Sequence, residues 1–164
     1  MQIEQILKPE QWVVSMSTHI SYEHLPRYIG TAFAELSAYI QKNEAQLMGT
    51  PYISYLNLDE NGQAKDELQY VEIGFPVERL LPSTARFQAY QQTAYYAVRT
   101  VFIGDYEVLT APYQELLLAI KELNGIFAQR SYEYFLTDSN IPLEQQETMI
   151  ELAYLPKERA ESFK

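Results

Sequence analysis

Tyr52-Ile-Ser-Tyr-Leu56 and Tyr132-Glu-Tyr-Phe-Leu136 are two stretches of this sequence with the same order of aromatic and aliphatic residues. Downstream of them, Val71-Glu-Ile-Gly-Phe75 aligns with Ile150-Glu-Leu-Ala-Tyr154 at nearly the same offset. Self-similarity at a fixed spacing is the signature of an internal repeat. The sequence is therefore predicted to contain two copies of one structural unit.

The elements around the first stretch define that unit. Residues 12–18 alternate weakly and predict a strand, and residues 24–43 carry apolar side chains at helical spacing. Residues 52–58 and 68–77 are predicted strands on either side of the turn signal Asn61-Gly62. The first half is thus predicted to be a strand, a helix and a hairpin.

The second half repeats this order. Residues 95–103 predict a strand, and residues 107–124 predict a helix that ends at Asn124-Gly125 in a left-handed cap. Residues 131–137 and 148–155 are the predicted hairpin strands. The predicted fold class is α+β: duplicated βαββ units form a pseudo-two-fold antiparallel sheet with two main helices and a central ligand cleft.

Length and composition predict one globular domain over residues 1–164, with a core at 11–156 and a charged tail at 157–164. The chain has 164 residues, of which 47% are hydrophobic and 21% charged, as in soluble single-domain proteins. The absence of cysteine excludes disulfides, thiolate metal sites and cysteine nucleophiles. Because His19 and His24 are the only imidazoles, no metal site and no cofactor is expected.

The charge of the chain limits its partners. Its net charge is −10, which disfavours direct binding of nucleic acid and favours cationic partners. Without a long apolar run or an N-terminal apolar segment, no membrane span or signal peptide is expected, and a cytoplasmic location is the default. Glu144, Glu147 and Glu151 are expected to form a solvated acidic face.

One position breaks the repeat: Glu133 aligns with Ile53. Because side chains alternate along a strand, Tyr132, Tyr134 and Leu136 share a large apolar face that is expected to pack under the helices. Glu133 is then expected on the opposite face, among aromatic residues, where a carboxylate is costly unless it has a partner. Tyr55 aligns with Phe135 in the repeat and is therefore expected on the same face as Glu133. Two interpretations remain open: an ordinary carboxylate on a solvated face, or the floor of an aromatic cleft that receives a cation.

Four segments of the chain carry a family resemblance. They are Ile29-Gly-Thr-Ala-Phe33-Ala-Glu-Leu36-Ser-Ala-Tyr39-Ile40, Gly49-Thr-Pro51-Tyr52-Ile-Ser-Tyr55, Gly104-Asp-Tyr106-Glu107 leading into Tyr113, and Tyr132-Glu133-Tyr-Phe135-Leu136-Thr-Asp138. In this order they resemble the GyrI-like small-molecule-binding domains, which also form the effector-binding domains of multidrug-responsive transcription activators. The resemblance covers residues 11–156. It departs from the family pattern at Phe135, where a tyrosine is frequent, and the short segment before Trp12 predicts a stand-alone member without a DNA-binding domain.

The resemblance implies that Glu133 is the central ligand-binding carboxylate. The candidate ligand-binding residues beside it are Tyr55, Tyr52, Phe33, Tyr113, Phe135 and Tyr154. The implied function is the binding of a small cationic or amphipathic aromatic molecule, as an effector-binding or sequestration module. Two alternatives remain open: a hydrolase of reactive electrophilic small molecules, with Glu133 as general base and a tyrosine as acid, or a gyrase-inhibitor-like domain that contacts a protein partner.

Overall fold

The computed structural model describes residues 2–105, 110–138 and 140–157. Its strands are β1 (Glu4–Lys8), β2 (Gln11–Ile20), β3 (Tyr52–Tyr55), β4 (Gln69–Pro76), β5 (Gln88–Gln92), β6 (Tyr95–Ile103), β7 (Ile126–Phe135) and β8 (Glu147–Leu155). The two α-helices of this described part are α1 (Leu25–Lys42) and α2 (Thr110–Glu122). Tyr106, Glu107 and most of the predicted tail lie outside the described residues.

The strands form one antiparallel sheet in the order β1-β6-β8-β7-β3-β4-β2-β5. If each of β1–β4 is exchanged with its counterpart in β5–β8, the result is the same strand order read backwards. The predicted α+β fold with pseudo-two-fold symmetry is therefore confirmed. The repeated unit has one strand more than predicted, because β1 and β5 precede the two predicted units. Each of these extra strands pairs with the other half of the chain: β1 with β6, and β5 with β2.

The register of the ladders corrects the alignment of the central strands. Glu72 of β4 lies opposite Ser54 of β3, whereas Glu151 of β8 lies opposite Tyr132 of β7. Since Glu72 and Glu151 are matched in the repeat, Ser54 corresponds to Tyr132. The predicted match of Tyr52 with Tyr132 is therefore wrong by two residues.

The same shift changes the residue that corresponds to Glu133. The structural equivalent of Glu133 is Tyr55 rather than Ile53, and Tyr55 does not correspond to Phe135. Sequence could not separate these choices, because a shift of two residues leaves every side chain of a strand on the same face. The predicted sharing of one face by Tyr55 and Glu133 accordingly holds.

The two faces of the sheet are covered differently. Helix α1 packs on β2 and β4, and α2 packs on β6, β7 and β8, on the face that we call the helix face. Buried residues of both helices, such as Leu36 and Leu116, lie against the strand residues of this face. Tyr132 and Tyr134 belong to a cluster on the opposite face, so the expectation that they pack under the helices is wrong. Leu136 follows the end of β7 and is 43% exposed.

Short connections curl the sheet into a half-barrel. Only two residues separate Lys8 at the end of β1 from Gln11 at the start of β2, and two separate Gln92 of β5 from Tyr95 of β6. Each connection joins strands from opposite ends of the strand order. Lys8 and Gln92 consequently line one cavity although they lie in the two edge strands. The face opposite the helices is therefore the concave one, and we call it the inner face.

Gly74 shows how closely the inner face is packed. It lies opposite Tyr52 in the ladder, and a Cβ atom at Gly74 would stand 2.3 Å from Cζ of the Tyr52 ring. No side chain larger than hydrogen fits there unless the ring moves. The glycine thus allows the Tyr52 ring to lie flat across β4.

Candidate functional site

Glu133 lies at the centre of the sheet, on the helix face. In the ladders it stands between Ile53 of β3 and Ile150 of β8, both fully buried. The side chain of Glu133 is itself only 3% exposed. It is therefore a buried carboxylate, and the alternative of an ordinary surface carboxylate is excluded.

The carboxylate of Glu133 accepts a hydrogen bond from helix α2. The hydroxyl of Tyr113 lies 2.5 Å from Oε2 of Glu133 and 2.8 Å from Oγ of Ser131, which precedes Glu133 by two residues on the same face. Tyr55, 7% exposed, stands opposite Ser131 in the ladder. Burial raises the pKa of Tyr113, and the negative charge of Glu133 and the nearby Tyr55 raise this pKa further. Tyr113 therefore keeps its proton and acts as the donor.

The other predicted site residues fall into three groups. Phe33 and Phe135 pack against the same apolar cluster as Tyr55 and Tyr113, and Phe33 meets Phe75 edge to face at 5.4 Å between ring centroids. Tyr154 is on the helix face but belongs to the separate cluster beneath α2. Tyr52 lies on the inner face, where its hydroxyl contacts Glu72, so it cannot line a cleft over Glu133.

Two further buried carboxylates, Glu72 and Glu151, were missed as candidates. They are 7% and 0% exposed and lie on the inner face, which overturns the expectation that Glu151 belongs to a solvated acidic face. The signal was present in the sequence, because each stands between aliphatic residues at matched positions of the repeat, Val71-Glu-Ile73 and Ile150-Glu-Leu152. Ionisable side chains inside an apolar strand are rarely buried unless they are paired.

Glu72 is held by hydroxyl groups and an arginine. Ser15 and Tyr90 donate to Oε2 at 3.1 and 2.5 Å, while Tyr52 and Arg130 donate to Oε1 at 3.1 and 2.9 Å. Burial, together with the negative charge of Glu72, raises the pKa of Tyr90 to about 12. The carboxylate is thus fully partnered from within the sheet.

Glu151 has the same kind of surroundings in the other half. Tyr95 and Tyr134 donate to Oε1 at 2.9 and 3.0 Å. Two cations face Oε2 at longer distances, Lys8 at 3.5 Å and Arg99 at 3.8 Å. The inner face therefore contains two related carboxylates, each opposed by tyrosines and positive charge.

The described residues form no cluster of three or more side chains suited to a metal ion. No helix among them has the length and apolar character needed to cross a membrane. The chemistry available at Glu133 is that of a buried carboxylate next to a tyrosine hydroxyl, with aromatic rings around both.

No family model matches the sequence, and no curated protein is similar to it in sequence. Solved structures are nevertheless similar in fold. The chain superposes on EcmrR in a complex with DNA with a TM-score of 0.77 and 17% identity, covering 94% of this chain and 57% of the EcmrR chain. On the crystal structure of the EcmrR C-terminal domain the TM-score is 0.70 at 16% identity, with 94% and 98% of the two chains covered. The chain thus spans little more than half of EcmrR and almost all of its C-terminal domain.

Two other structures share the fold. SAV2435, solved with bound tetraphenylphosphonium, gives a TM-score of 0.61 at 11% identity and covers 94% of both chains. A hydrolase from Listeria innocua gives 0.64 at 12% identity, covering 93% of this chain and 91% of that one. The C-terminal domain of EcmrR and SAV2435 both have the GyrI-like fold. The present chain therefore has the GyrI-like fold, as the resemblance in its sequence implies.

Proposed function

We propose that the chain binds small cationic or amphipathic aromatic molecules on the helix face, with Glu133 as the residue that recognises positive charge. The observation that carries the proposal is the burial of the Glu133 carboxylate at 3% exposure beneath a tyrosine hydroxyl. A cation that reaches this carboxylate gains a charge-assisted contact in a site of low dielectric constant. Tetraphenylphosphonium bound to SAV2435 is a cation of this class.

Aromatic residues packed in one cluster with Tyr113 supply the rest of the proposed site. Tyr55, Tyr113, Phe33 and Phe135 share one apolar cluster and offer ring faces to a flat or propeller-shaped ligand. A cation near a desolvated ring gains roughly 0.5–2 kcal/mol per contact, and a charge-assisted bond adds about 1.5–3 kcal/mol. Two or three such contacts together with apolar burial correspond to a dissociation constant on the order of 1 μM.

The test is a titration of tetraphenylphosphonium into wild type and Glu133→Gln by calorimetry. Gln keeps the shape of the side chain and removes its charge, so the affinity is expected to fall at least about tenfold. Glu122→Gln is the matched control, because it removes the same charge from an exposed position on α2 and is expected to leave the affinity unchanged. Equal affinities for wild type and Glu133→Gln would show that Glu133 does not recognise the cation.

Hydrolysis of reactive electrophiles is a second candidate function. The observation that favours it is the direct hydrogen bond between Tyr113 and Glu133, which places a proton-donating hydroxyl beside a potential general base. On an epoxide, Glu133 would take a proton from the water molecule whose oxygen bonds to a ring carbon, while the ring C–O bond breaks and Tyr113 donates a proton to the released oxygen. The proton on Glu133 would then return to Tyr113. Turnover of an epoxide panel should then be lost in both Glu133→Gln and Tyr113→Phe. Turnover no faster than the uncatalysed reaction in wild type would leave binding as the function.

A further inference from the structure

The inner face of the half-barrel contains a cavity of about 220 Å³ that is separate from the Glu133 site. Its walls come from seven strands and from the segment that precedes β3. The lining residues used below are Lys8, Met48, Tyr52, Gln92, Tyr134 and Met149. Since Glu133 points to the other face of the sheet, a ligand in this cavity would not touch it.

The walls of the cavity suit an aromatic ring. Tyr52 and Tyr134 are 3% and 5% exposed, and their hydroxyls are fixed by hydrogen bonds to Glu72 and Glu151. Their rings are therefore held in place as flat walls, and thioethers such as that of Met149 make favourable contacts with aromatic rings. A cavity of about 220 Å³ has the volume of roughly seven water molecules, each of which occupies about 30 Å³ in the liquid. This is enough for one substituted six-membered ring.

The polar end of the cavity offers a donor, the ammonium group of Lys8, whose counter-charge Glu151 is buried behind the wall. Nζ of Lys8 lies 3.5 Å from Oε2 of Glu151, and Nη1 of Arg99 lies 3.8 Å from the same atom. Both distances exceed the roughly 2.7–2.9 Å of a direct charge-assisted hydrogen bond. Within the described part of the chain, Oε2 of Glu151 is a buried atom that accepts no hydrogen bond. A hydroxyl group inserted beside Lys8 can accept a hydrogen bond from the ammonium group, which lines the cavity.

The charges around the cavity favour a neutral ligand. Lys8 and Arg99 are balanced by Glu151 and by Glu4, which binds Arg99 at 3.0 Å. On the other wall, Arg130 is paired with Glu72. An ionic ligand would therefore enter without a counter-charge to meet it, at a large desolvation cost.

We propose that the inner cavity is a second ligand site, specific for neutral single-ring aromatic molecules that carry a hydroxyl group. Its ligands differ in charge from those of the Glu133 site, and it does not depend on the function proposed for that site. The ring lies against the wall that Tyr52 and Tyr134 form together, their own ring centroids being 6.0 Å apart, and the hydroxyl accepts a hydrogen bond from Lys8. The mouth of the cavity is at Met48, which is 55% exposed.

Phenol is the probe, and the methyl groups of methionine report where it binds. The chain has four methionines: Met48 and Met149 line the inner cavity, whereas Met16 is buried in the cluster of the helix face. In ¹³C-methyl spectra of the full chain, phenol should shift the Met48 and Met149 signals to saturation and leave Met16 unchanged. Saturable shifts at Met16 alone, or no saturable shift at all, would overturn the proposal.

Variants then test how the hydroxyl is recognised. Lys8→Leu removes the ammonium donor and should weaken phenol binding at least about tenfold, while toluene, which has no hydroxyl, should bind wild type and variant alike. Lys42→Leu is the matched control, because it removes the same ammonium group from an exposed position on α1, and it should bind phenol as wild type does. An unchanged phenol affinity in Lys8→Leu would refute the recognition of the hydroxyl.

A second variant keeps the test valid if Lys8→Leu perturbs the fold, which the Met16 signal would reveal. Met48→Trp changes an exposed residue at the mouth of the cavity and should block entry, so that the Met149 signal no longer responds to phenol. A Met149 response as large as in wild type would show that phenol does not use this cavity.

Discussion

Glu72 and Glu151 on the inner face and Glu133 on the helix face are all buried carboxylates in central strands, but different groups hold them. Glu72 and Glu151 face arginine or lysine side chains of the same sheet. Glu133 accepts from the hydroxyl of Tyr113, which belongs to a helix. A carboxylate neutralised inside the sheet contributes to the structure, whereas one held by a helix hydroxyl can exchange that donor for a ligand. The comparison assigns a structural role to Glu72 and Glu151 and supports the binding role that we propose for Glu133.

The largest loss of stability is expected when the ion pair between Glu72 and Arg130 on the inner face is broken. Glu72→Gln leaves Arg130 without its counter-ion, and breaking a buried ion pair from one side costs about 3–5 kcal/mol. Glu133→Gln keeps an acceptor oxygen for Tyr113 and should lower the free energy of unfolding by only about 1 kcal/mol. Urea denaturation of the two variants measures the difference. Equal losses would remove the distinction between the two faces.

Tyr113→Phe should separate stability from affinity. Loss of a hydrogen bond to a charged group lowers the free energy of unfolding by about 1.5–3 kcal/mol. Without the Tyr113 donor, the negative charge of Glu133 is less stabilised in the unliganded protein, so the affinity for tetraphenylphosphonium should rise. Tyr154→Phe is the control, because the Tyr154 hydroxyl accepts from Gln5 rather than contacting Glu133; its cation affinity should stay constant. A weaker cation affinity in Tyr113→Phe would mean that the hydroxyl itself holds the ligand.

Two glycine-to-alanine substitutions should change the stability of the chain in opposite directions. Gly74→Ala forces the Tyr52 ring off β4 on the inner face and should destabilise the chain by about 1–3 kcal/mol, as overpacking does. At Gly30, inside α1, a Cβ atom meets nothing within 4 Å, so Gly30→Ala should stabilise by up to about 1 kcal/mol through helix propensity. Thermal denaturation compares the two. An unchanged stability in Gly74→Ala would indicate that the Tyr52 ring can move aside at little cost.

The smallest expected effect is a loss of stability at alkaline pH that depends on Tyr90. The pKa of Tyr90 is raised to about 12 by burial and by Glu72, so the folded state holds this proton more tightly than the unfolded chain, whose tyrosines titrate near pH 10. The resulting stability is complete below about pH 10 and is lost as the pH rises towards about 12. Urea denaturation at pH 9 and 11 should show a smaller loss in Tyr90→Phe than in wild type. An identical loss would contradict the raised pKa of Tyr90.

The sequence identified the elements that carry strong periodicity and missed those that do not. The helical spacing of apolar residues in α1 and the run of β-favouring residues in β6 predicted the bounds of these elements closely. β1 and β5 were missed: Gln88-Ala-Tyr-Gln-Gln92 is short and polar, as edge strands commonly are. Their pairing depends on the other half of the chain, which no local pattern encodes.

The surroundings of Glu133 were also predicted only in part, because local sequence patterns show some of these residues and not others. Glu133 could be singled out because a carboxylate stands in an aromatic strand. Tyr55 was placed on the same face by aligning it with Phe135, and the face is right because that alignment is wrong by an even number of residues. The face that the helices cover was assigned wrongly, since both faces of β7 are apolar enough to be buried, and Tyr52 was misplaced with it. Glu151 was taken for a surface residue because its partner Lys8 lies in a strand that the sequence pattern did not reveal.

The exchange of edge strands between the two halves bears on how the chain folds during synthesis. Glu4 pairs with Arg99, so β1 must wait until almost a hundred further residues have been made. At translation rates of about 5–20 residues per second, this delay is roughly 5–20 s. The N-terminal half can form its hairpin and helix meanwhile, but its first strand stays unpaired. High contact order of this kind slows folding, and a ribosome stalled between the halves would leave the sheet open at one edge.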